Sequence, residues 1–264
     1  MIRSARILPG PFKHFEMLTR YALPALSLLL VSGLRAQDQA PPAKELVRNG
    51  GFEFMDKEPT TYDQVNKAEG WSNVTIGYSE LFTKGAPAKT IGIPENDYGK
   101  ADPKEGEHYA GFFAWKDDLK MNFAAGDDPF IPGWSSYSEY IISELLEPLV
   151  EGREYEISFW VALSGNSDRA VSGIGAYCSE EPLKQQHRRF LREKPQVSFD
   201  KIIAEKGVWV EVKGTFVADG GERHITIGTF PAAGFDTKRC VETLDNQYAY
   251  YYLDQVSLKQ VVAP

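Results

Sequence analysis

The chain has 264 residues, of which 42% are hydrophobic, 12% aromatic and 25% charged, and its formal net charge is −8. This composition is typical of a folded globular protein and excludes a collagen-like or wholly disordered chain. The excess of acidic residues argues against a nucleic-acid-binding protein, which usually carries a basic surface. Two cysteines are too few for a disulfide scaffold or a cysteine-rich zinc module.

The first 36 residues have the pattern of a secretory signal peptide. Arg20 precedes an apolar run that is too short to span a bilayer, and the segment closes on the small residue Ala36. Translation starts at Met1 or at Met17, and the alternative to a signal peptide is an uncleaved N-terminal anchor. No cysteine follows the apolar run before Cys178, so the sequence predicts that the protein is not a lipoprotein.

Removal of residues 1–36 makes the chain more acidic. This segment holds five of the 29 basic residues and one of the 37 acidic residues, so the mature chain has a net charge of −12. No later apolar stretch is long enough for a transmembrane helix. We therefore expect an exported product without a transmembrane segment, located in the periplasm, on the outer cell surface or outside the cell.

The mature chain is predicted to be all-β. Residues 37–44 are polar and contain proline, as in a flexible lead-in. Beyond them, short segments of alternating apolar and polar residues, rich in strand formers, are separated by glycine- and asparagine-containing turns. The predicted strands are 45–53, 71–82, 108–115, 138–146, 155–163, 172–179, 208–218, 223–230 and 249–258. This pattern predicts a single β-sandwich domain over residues 45–262.

Three segments allow more than one interpretation. Ser138–Leu149 carries a helical stripe as well as strand formers, and we favour a strand because Pro148 would end a helix early. The basic segment 183–194 suits a short helix or a loop. Residues 84–107 are rich in glycine, proline and charged residues, which predicts a long loop inside the domain.

Several short motifs occur in the order seen in one family of sandwiches. They are Asn-Gly-Gly-Phe-Glu at 49–53, Gly-Val-Trp at 207–209, and Tyr-Tyr-Leu-Asp-Gln-Val-Ser-Leu at 251–258. The chain thus resembles galactose-binding-like jelly rolls, the fold of many carbohydrate-binding modules, and is similar to a subset from exported Gram-negative envelope proteins that often precedes an OmpA-type domain. The resemblance implies an antiparallel jelly-roll β-sandwich that binds glycan or another cell-envelope component without catalysis.

Two distant carboxylates suggest a structural metal site. First and last strands pair in many such sandwiches, which would bring Glu53 and Asp254 together, and Ca²⁺ prefers hard oxygen ligands of this kind. The resemblance implies a structural calcium here, with a backbone carbonyl from Gly51. The alternative is that backbone N–H groups or a nearby cation satisfy the carboxylates, since Gln255 replaces a second acid found in many relatives.

A glycan site needs an aromatic platform flanked by polar groups. Trp160 and Tyr177 alternate with core positions and are expected to point outward on the same sheet, with Asn166, Asp168 and Arg169 supplying polar partners. The alternative is that loops cover both rings. The alternative function is that of a structural or adhesion protein of the envelope, which uses the same sandwich as a protein-interaction unit.

Catalysis and disulfide formation have less support in the sequence. No histidine pair has a metal-ligand spacing and no nucleophile elbow is present, although the many acidic residues leave a hydrolase as a third alternative. Cys178 and Cys240 are expected to form a disulfide in an oxidising compartment; otherwise both are unpaired, with Cys178 in the core.

Overall fold

The computed structural model describes residues 43–117, 136–242 and 247–262, so the predicted signal peptide and most of the lead-in lie outside the described residues. The strands are β1 (Trp71–Asn73), β2 (Glu80–Thr83), β3 (Glu95–Asn96), β4 (Gly99–Lys100), β5 (His108–Asp117), β6 (Ser136–Tyr137), β7 (Ile141–Glu144), β8 (Glu154–Leu163), β9 (Arg169–Val171), β10 (Ile174–Ser179), β11 (Val197–Phe199), β12 (Trp209–Val217), β13 (His224–Thr229), β14 (Thr237–Arg239) and β15 (Tyr248–Gln260).

These strands form two principal sheets. One has the order β1-β7-β13-β10-β11, and the other has the order β12-β8-β15-β5-β2 with β6 paired to β5. Every pairing between these strands in the described part of the chain is antiparallel. Its helical segments are two 3₁₀ turns, Val65–Lys67 and Pro231–Ala233, and no helix there is long and apolar enough to cross a membrane. The predicted all-β antiparallel sandwich is confirmed.

The main core lies between the two sheets, and β8 shows why. Alternate residues of this strand, including Ile157, Phe159 and Val161, are fully buried and pack with residues of both sheets. The intervening side chains of Glu156, Ser158 and Trp160 lie on the opposite face of the same strand and are partly exposed. This period-two alternation is the one that the sequence predicted.

The two ends of the domain meet along β15. Leu46 donates its N–H to the carbonyl of Leu258 at 2.9 Å, and Val256 donates to the carbonyl of Gly50 at 2.9 Å. The predicted strand over 45–53 is shorter than expected, because only isolated bridges form there, from Glu45 and Val47. The predicted pairing of the first and last segments is confirmed.

The ambiguous segments are resolved as follows. The strand interpretation of Ser138–Leu149 is confirmed by β7, since β-branched residues there fit a sheet buried on both faces. Residues 183–194 form no helix and cross the outer face of the five-stranded sheet as an irregular segment. The long loop 84–107 contains the short β3–β4 hairpin.

The expected disulfide is not formed in the structure. Cys178 and Cys240 are both free thiols. Cys178 is buried in β10 opposite Ile225, whereas Cys240 follows β14 and donates its N–H to the carbonyl of Asp168. The prediction was wrong because cysteine count and compartment carry no information about where two strands place their thiols.

Gly50 is a site where packing requires glycine. A Cβ atom built on Gly50 would lie 1.8 Å from the carbonyl oxygen of Val256, which is backbone and therefore cannot swing aside. We expect Gly50→Ala to separate the N-terminal segment from β15 and to lower the free energy of unfolding by about 3 kcal/mol, the upper part of the usual range for overpacking. Urea denaturation measures this loss. Gly85→Ala, where only Thr83 Oγ1 lies nearby at 3.7 Å, is the matched control and should behave as wild type.

Candidate functional site

The outer face of the six-stranded sheet carries a second, largely aromatic cluster. Tyr250 and Tyr252 of β15 point away from the main core and pack with Phe82 and Tyr109 from the neighbouring strands. Part of the loop 84–107 covers this cluster and contributes its own buried residues. One end of the cluster surrounds two carboxyl groups.

Glu80 is the first of these acids. It lies on β2, is 2% exposed, and accepts hydrogen bonds from the Tyr98 hydroxyl at 2.9 Å and from the Tyr250 hydroxyl at 2.5 Å. The rings of Tyr98 and Tyr250 are stacked with their centroids 3.7 Å apart. The hairpin and the last strand are thus joined through one carboxyl group.

Glu139 is the second acid. It lies between β6 and β7, is 1% exposed, and accepts hydrogen bonds from the Tyr137 hydroxyl and from the N–H of Phe113 at 2.9 Å. Its own N–H donates to the carbonyl of Phe113 at 2.9 Å, which fixes it against β5.

The two acids influence each other's protonation. Burial raises the pKa of Glu80 from 4.5 to about 8, against the lowering effect of the two tyrosine hydrogen bonds. Burial also raises the pKa of Glu139 well above its usual value, and the charge of Glu80 raises it further. Both effects disfavour the charged form of these acids.

Phe113 is at the centre of the surrounding rings. Its ring lies 5.6 Å from Tyr98, 5.7 Å from Tyr137, 5.7 Å from Tyr248 and 4.9 Å from Tyr250, in edge-to-face arrangements. All of these rings except that of Tyr250 are partly exposed. We call this group the acid–aromatic face; it consists of Glu80, Tyr98, Phe113, Tyr137, Glu139, Tyr248 and Tyr250.

Two cations border this face. Lys116 pairs across the strands with both Tyr137 and Tyr248, and its Nζ lies 5.0 Å from the Phe113 centroid. The guanidinium of Arg188 lies 5.5 Å from the Tyr137 centroid. Both distances fall within the range of a cation–π interaction.

The predicted aromatic pair is not brought together. Trp160 points outward from the six-stranded sheet as expected, and Lys104 lies over its ring at 3.9 Å. Tyr177, however, is on β10 of the five-stranded sheet and packs near Phe230 on the other side of the sandwich. The prediction that both rings share a sheet was wrong, because alternation separates inward from outward residues but does not assign a strand to a sheet.

Two of the three predicted polar partners, Asn166 and Asp168, contact segments that carry the acid–aromatic face. Asn166 is exposed and donates from Nδ2 to the carbonyl of Asp97 at 2.8 Å. Asp168 is buried and accepts the N–H groups of Gln247 and Tyr248 at 3.0 and 2.8 Å, which fixes the start of β15. Arg169 begins β9 and pairs across the strands with β14.

The two carboxylates predicted to meet near the chain ends converge on one loop. Glu53 accepts the N–H groups of Glu107 at 2.8 Å and His108 at 3.1 Å, and its other oxygen contacts His108 Nδ1 at 2.8 Å. Asp254 accepts the N–H groups of Lys104 at 2.9 Å and Glu105 at 3.2 Å. Loop residues 104–108 thus connect both acids.

Asp254 also accepts the N–H of Gln255 at 2.7 Å through its other oxygen. Every oxygen of the two carboxylates thus faces a protein donor, which is the alternative to a bound ion that the sequence left open. Burial raises the pKa of Asp254 to about 7, and the charge of Glu53 contributes. A Cβ atom on Gly106 would lie 2.1 Å from Glu53 Oε1, so only glycine leaves room beside this oxygen; Gly51 lies next to Glu53 and Gln255. No group of three or more His, Cys, Asp or Glu side chains in the described ranges is placed to hold a metal ion, so further metal ligands here would be backbone carbonyls or water.

Sequence reasoning missed the acid–aromatic face. Glu139 occurs in the motif Ser138-Glu139-Tyr140-Ile141, and Glu80 opens the apolar run of β2, but an acid next to a strand is usually solvated. A usable signal was the density of tyrosines in 248–252, since alternate tyrosines on a strand must face outward when their neighbours fill the core.

Comparisons with protein-family models and with the curated proteins find no match. The structure is similar to the CBM22-1 xylan-binding domain of Paenibacillus barcinonensis Xyn10C, at 14% identity and a TM-score of 0.41, over 86% of this chain and all of that domain. It is similar to TmCBM61 in complex with β-1,4-galactotriose, at 12% identity and a TM-score of 0.39, over 83% of this chain and all of the other. It is also similar to the K1 cleaved adhesin domain of Lys-gingipain from Porphyromonas gingivalis W83, at 14% identity and a TM-score of 0.37, over 83% and 99% of the two chains. Carbohydrate-binding modules, the class named by the sequence resemblance, are thus among the similar structures.

Proposed function

We propose that this protein is an exported, non-catalytic carbohydrate-binding module that holds its glycan on the acid–aromatic face. The observation that carries the proposal is the ring of partly exposed aromatic side chains, Tyr98, Phe113, Tyr137 and Tyr248, around two buried carboxyl groups. The axial C–H face of a sugar stacks on an aromatic ring, while tyrosine hydroxyls and cations nearby bind its hydroxyl groups. The signal-peptide pattern of residues 1–36 supports export to the envelope or beyond.

The hydrogen bonding of the acids supports binding without catalysis. All four oxygens of Glu80 and Glu139 already accept hydrogen bonds from tyrosine hydroxyls or from a backbone N–H. A general acid or a nucleophile must direct an oxygen at the substrate. The carboxyl groups therefore position the surrounding rings.

Alanine substitutions at Phe113 and Tyr248 test this proposal. Each removes a stacking surface, and we expect glycan affinity to fall about tenfold or more, given about 1–1.5 kcal/mol for an aromatic contact. Binding is measured by titration calorimetry with a ligand identified on a glycan array, and Tyr248→Phe should retain binding. Phe54→Ala is the matched control, because Phe54 is 65% exposed and outside this face.

Three results would contradict the proposal. If Trp160→Ala removes binding and Phe113→Ala does not, the site lies at Trp160, as the sequence first indicated. If no glycan binds and a protein partner is retained, the domain is an adhesion or structural unit. Turnover of a polysaccharide or ester by the wild-type protein would make it a hydrolase.

We further propose that Glu53 and Asp254 hold a structural Ca²⁺ ion together with backbone carbonyls, including that of Gly51. The support is the convergence of both acids on residues 104–108 and the raised pKa of Asp254, which a neighbouring cation would reverse. The ion would supply positive charge between the N-terminal segment, this loop and β15.

A further inference from the structure

The segment 183–194 is a basic strip on an acidic protein. It contains Lys184, Arg188, Arg189, Arg192 and Lys194 but one acidic residue, Glu193, and all five cations are exposed. None of the five forms an ion pair within the part of the chain that the structure describes. What distinguishes the strip from the rest of the surface is the density of its cations, five against one acidic residue within residues 183–194.

The backbone of the strip is held firmly although its charged groups are exposed. Ser138 donates its N–H to the carbonyl of Arg188 at 2.8 Å, and Leu191 donates to the Tyr140 hydroxyl at 3.0 Å. Gln185 donates its N–H to the carbonyl of Val74 at 2.8 Å. The positions of the cations along the surface are therefore fixed at the level of the backbone.

The strip is continuous with the acid–aromatic face. Arg188 lies over the ring of Tyr137, and Lys116 lies over Phe113 on the adjoining strand. Lys116 also forms no ion pair among the described residues. A ligand seated on the rings thus meets two positive charges at its margin that form no ion pair with the described residues, while burial disfavours the charged form of the two acids beneath.

The apolar residues of the strip face inward. Leu191 is 4% exposed, and Leu183 packs in the same small apolar cluster. Phe190 packs against the main core between the sheets. A membrane-binding segment would instead turn such side chains outward to enter the lipid. The combination of exposed cations with inward apolar groups favours a hydrated polyanion.

We infer that the ligand is an anionic polysaccharide, with uronate or sulfate groups held by Lys116, Arg188 and the basic strip while its sugar rings stack on the acid–aromatic face. This inference rests on the proposed function and names the class of glycan. Guanidinium and ammonium groups recognise carboxylate and sulfate through charge-assisted hydrogen bonds.

Polygalacturonate and its fully methyl-esterified form test the inference, because they share one backbone and differ in charge. We expect the full chain at pH 7 to bind the charged form at least about tenfold more tightly, and this preference to shrink as NaCl is raised through the range that screens surface charges. In Lys116→Gln/Arg188→Gln the preference should fall to about twofold or less, because affinity for the charged form should fall much more than affinity for the ester. Lys213→Gln, which removes a cation paired with Glu156 at 2.8 Å on β8, is the matched control and should keep the preference.

Each alternative outcome is distinct. Equal affinity for both forms overturns the inference and leaves the proposed function in place. Failure to bind any glycan, charged or neutral, overturns both. Tighter binding to vesicles containing anionic lipid than to polygalacturonate, abolished by the same double substitution, assigns the strip to a membrane and overturns the inference.

Discussion

Glu80→Gln is expected to flatten the pH dependence of stability. In the wild-type protein burial raises the pKa of Glu80 from 4.5 to about 8, so the folded state keeps a proton that the unfolded chain releases. Between these two values the free energy of unfolding falls as the pH rises, by up to about 1.4 kcal/mol per pH unit. Glutamine cannot ionise, and its amide group can still bond the Tyr98 and Tyr250 hydroxyls.

The measurement is chemical denaturation at several pH values from about 5 to 8, in chelator. Wild type should lose several kcal/mol over this range, and Glu80→Gln should lose clearly less. Part of the slope should persist, because burial also raises the pKa of Glu139 and of Asp254. Glu211→Gln, at an exposed position of β12, is the control. Equal slopes in wild type and Glu80→Gln would show that the acid is solvated and would contradict the geometry described above.

Calcium is expected to raise the thermal midpoint, and chelation to lower it. An ion present at about 100 times its dissociation constant adds about 2.7 kcal/mol to the free energy of unfolding, which corresponds to roughly 5–10 °C for a domain of this size. The measurement is a pair of thermal melts, with Ca²⁺ and with chelator.

Substitutions at the two carboxylates make this test specific. Glu53→Gln and Asp254→Asn should each remove most of the response to Ca²⁺, since each deletes a charged ligand. In chelator Asp254→Asn should itself lower stability, because its amide offers one acceptor oxygen where the two oxygens of Asp254 accept three backbone N–H groups. The response to Ca²⁺ is therefore measured for each variant against its own midpoint in chelator. Glu147→Gln is the control, at an exposed surface ion pair with Lys44. Identical thermal midpoints with and without Ca²⁺ would contradict the calcium proposal and would indicate that backbone N–H groups alone satisfy the carboxylates.

The sequence predicted correctly those features that depend on the residues of a single segment. In 155–163 apolar residues alternate with polar ones, and this alone places Ile157 and Phe159 inward and Trp160 outward. The motifs at 49–53 and 251–258 similarly predicted that the chain ends pair, which the bond from Val256 to Gly50 confirms. Such features depend on local period and on the composition of single segments.

The candidate site could not be predicted from single segments of the sequence. Glu80, Tyr98, Phe113, Glu139 and Tyr250 come from five separate segments, and only strand order and register bring them together. The disulfide prediction failed for a related reason, since Cys178 lies within β10 whereas Cys240 follows β14, and only the fold decides where these strands lie.

The 264-residue acidic composition, its period-two strands and its turn residues by themselves determined an all-β protein and its inward-facing residues. The resemblance of its end motifs to those of a known family of sandwiches predicted the pairing of its ends. Only the tertiary structure decided which sheet carries each outward-facing ring, because both sheets of a sandwich share the same alternation. It therefore separated Trp160 from Tyr177 and placed the partly exposed rings around Glu80 and Glu139. Burial in that arrangement, and not residue type, raises the pKa of both acids above its usual value.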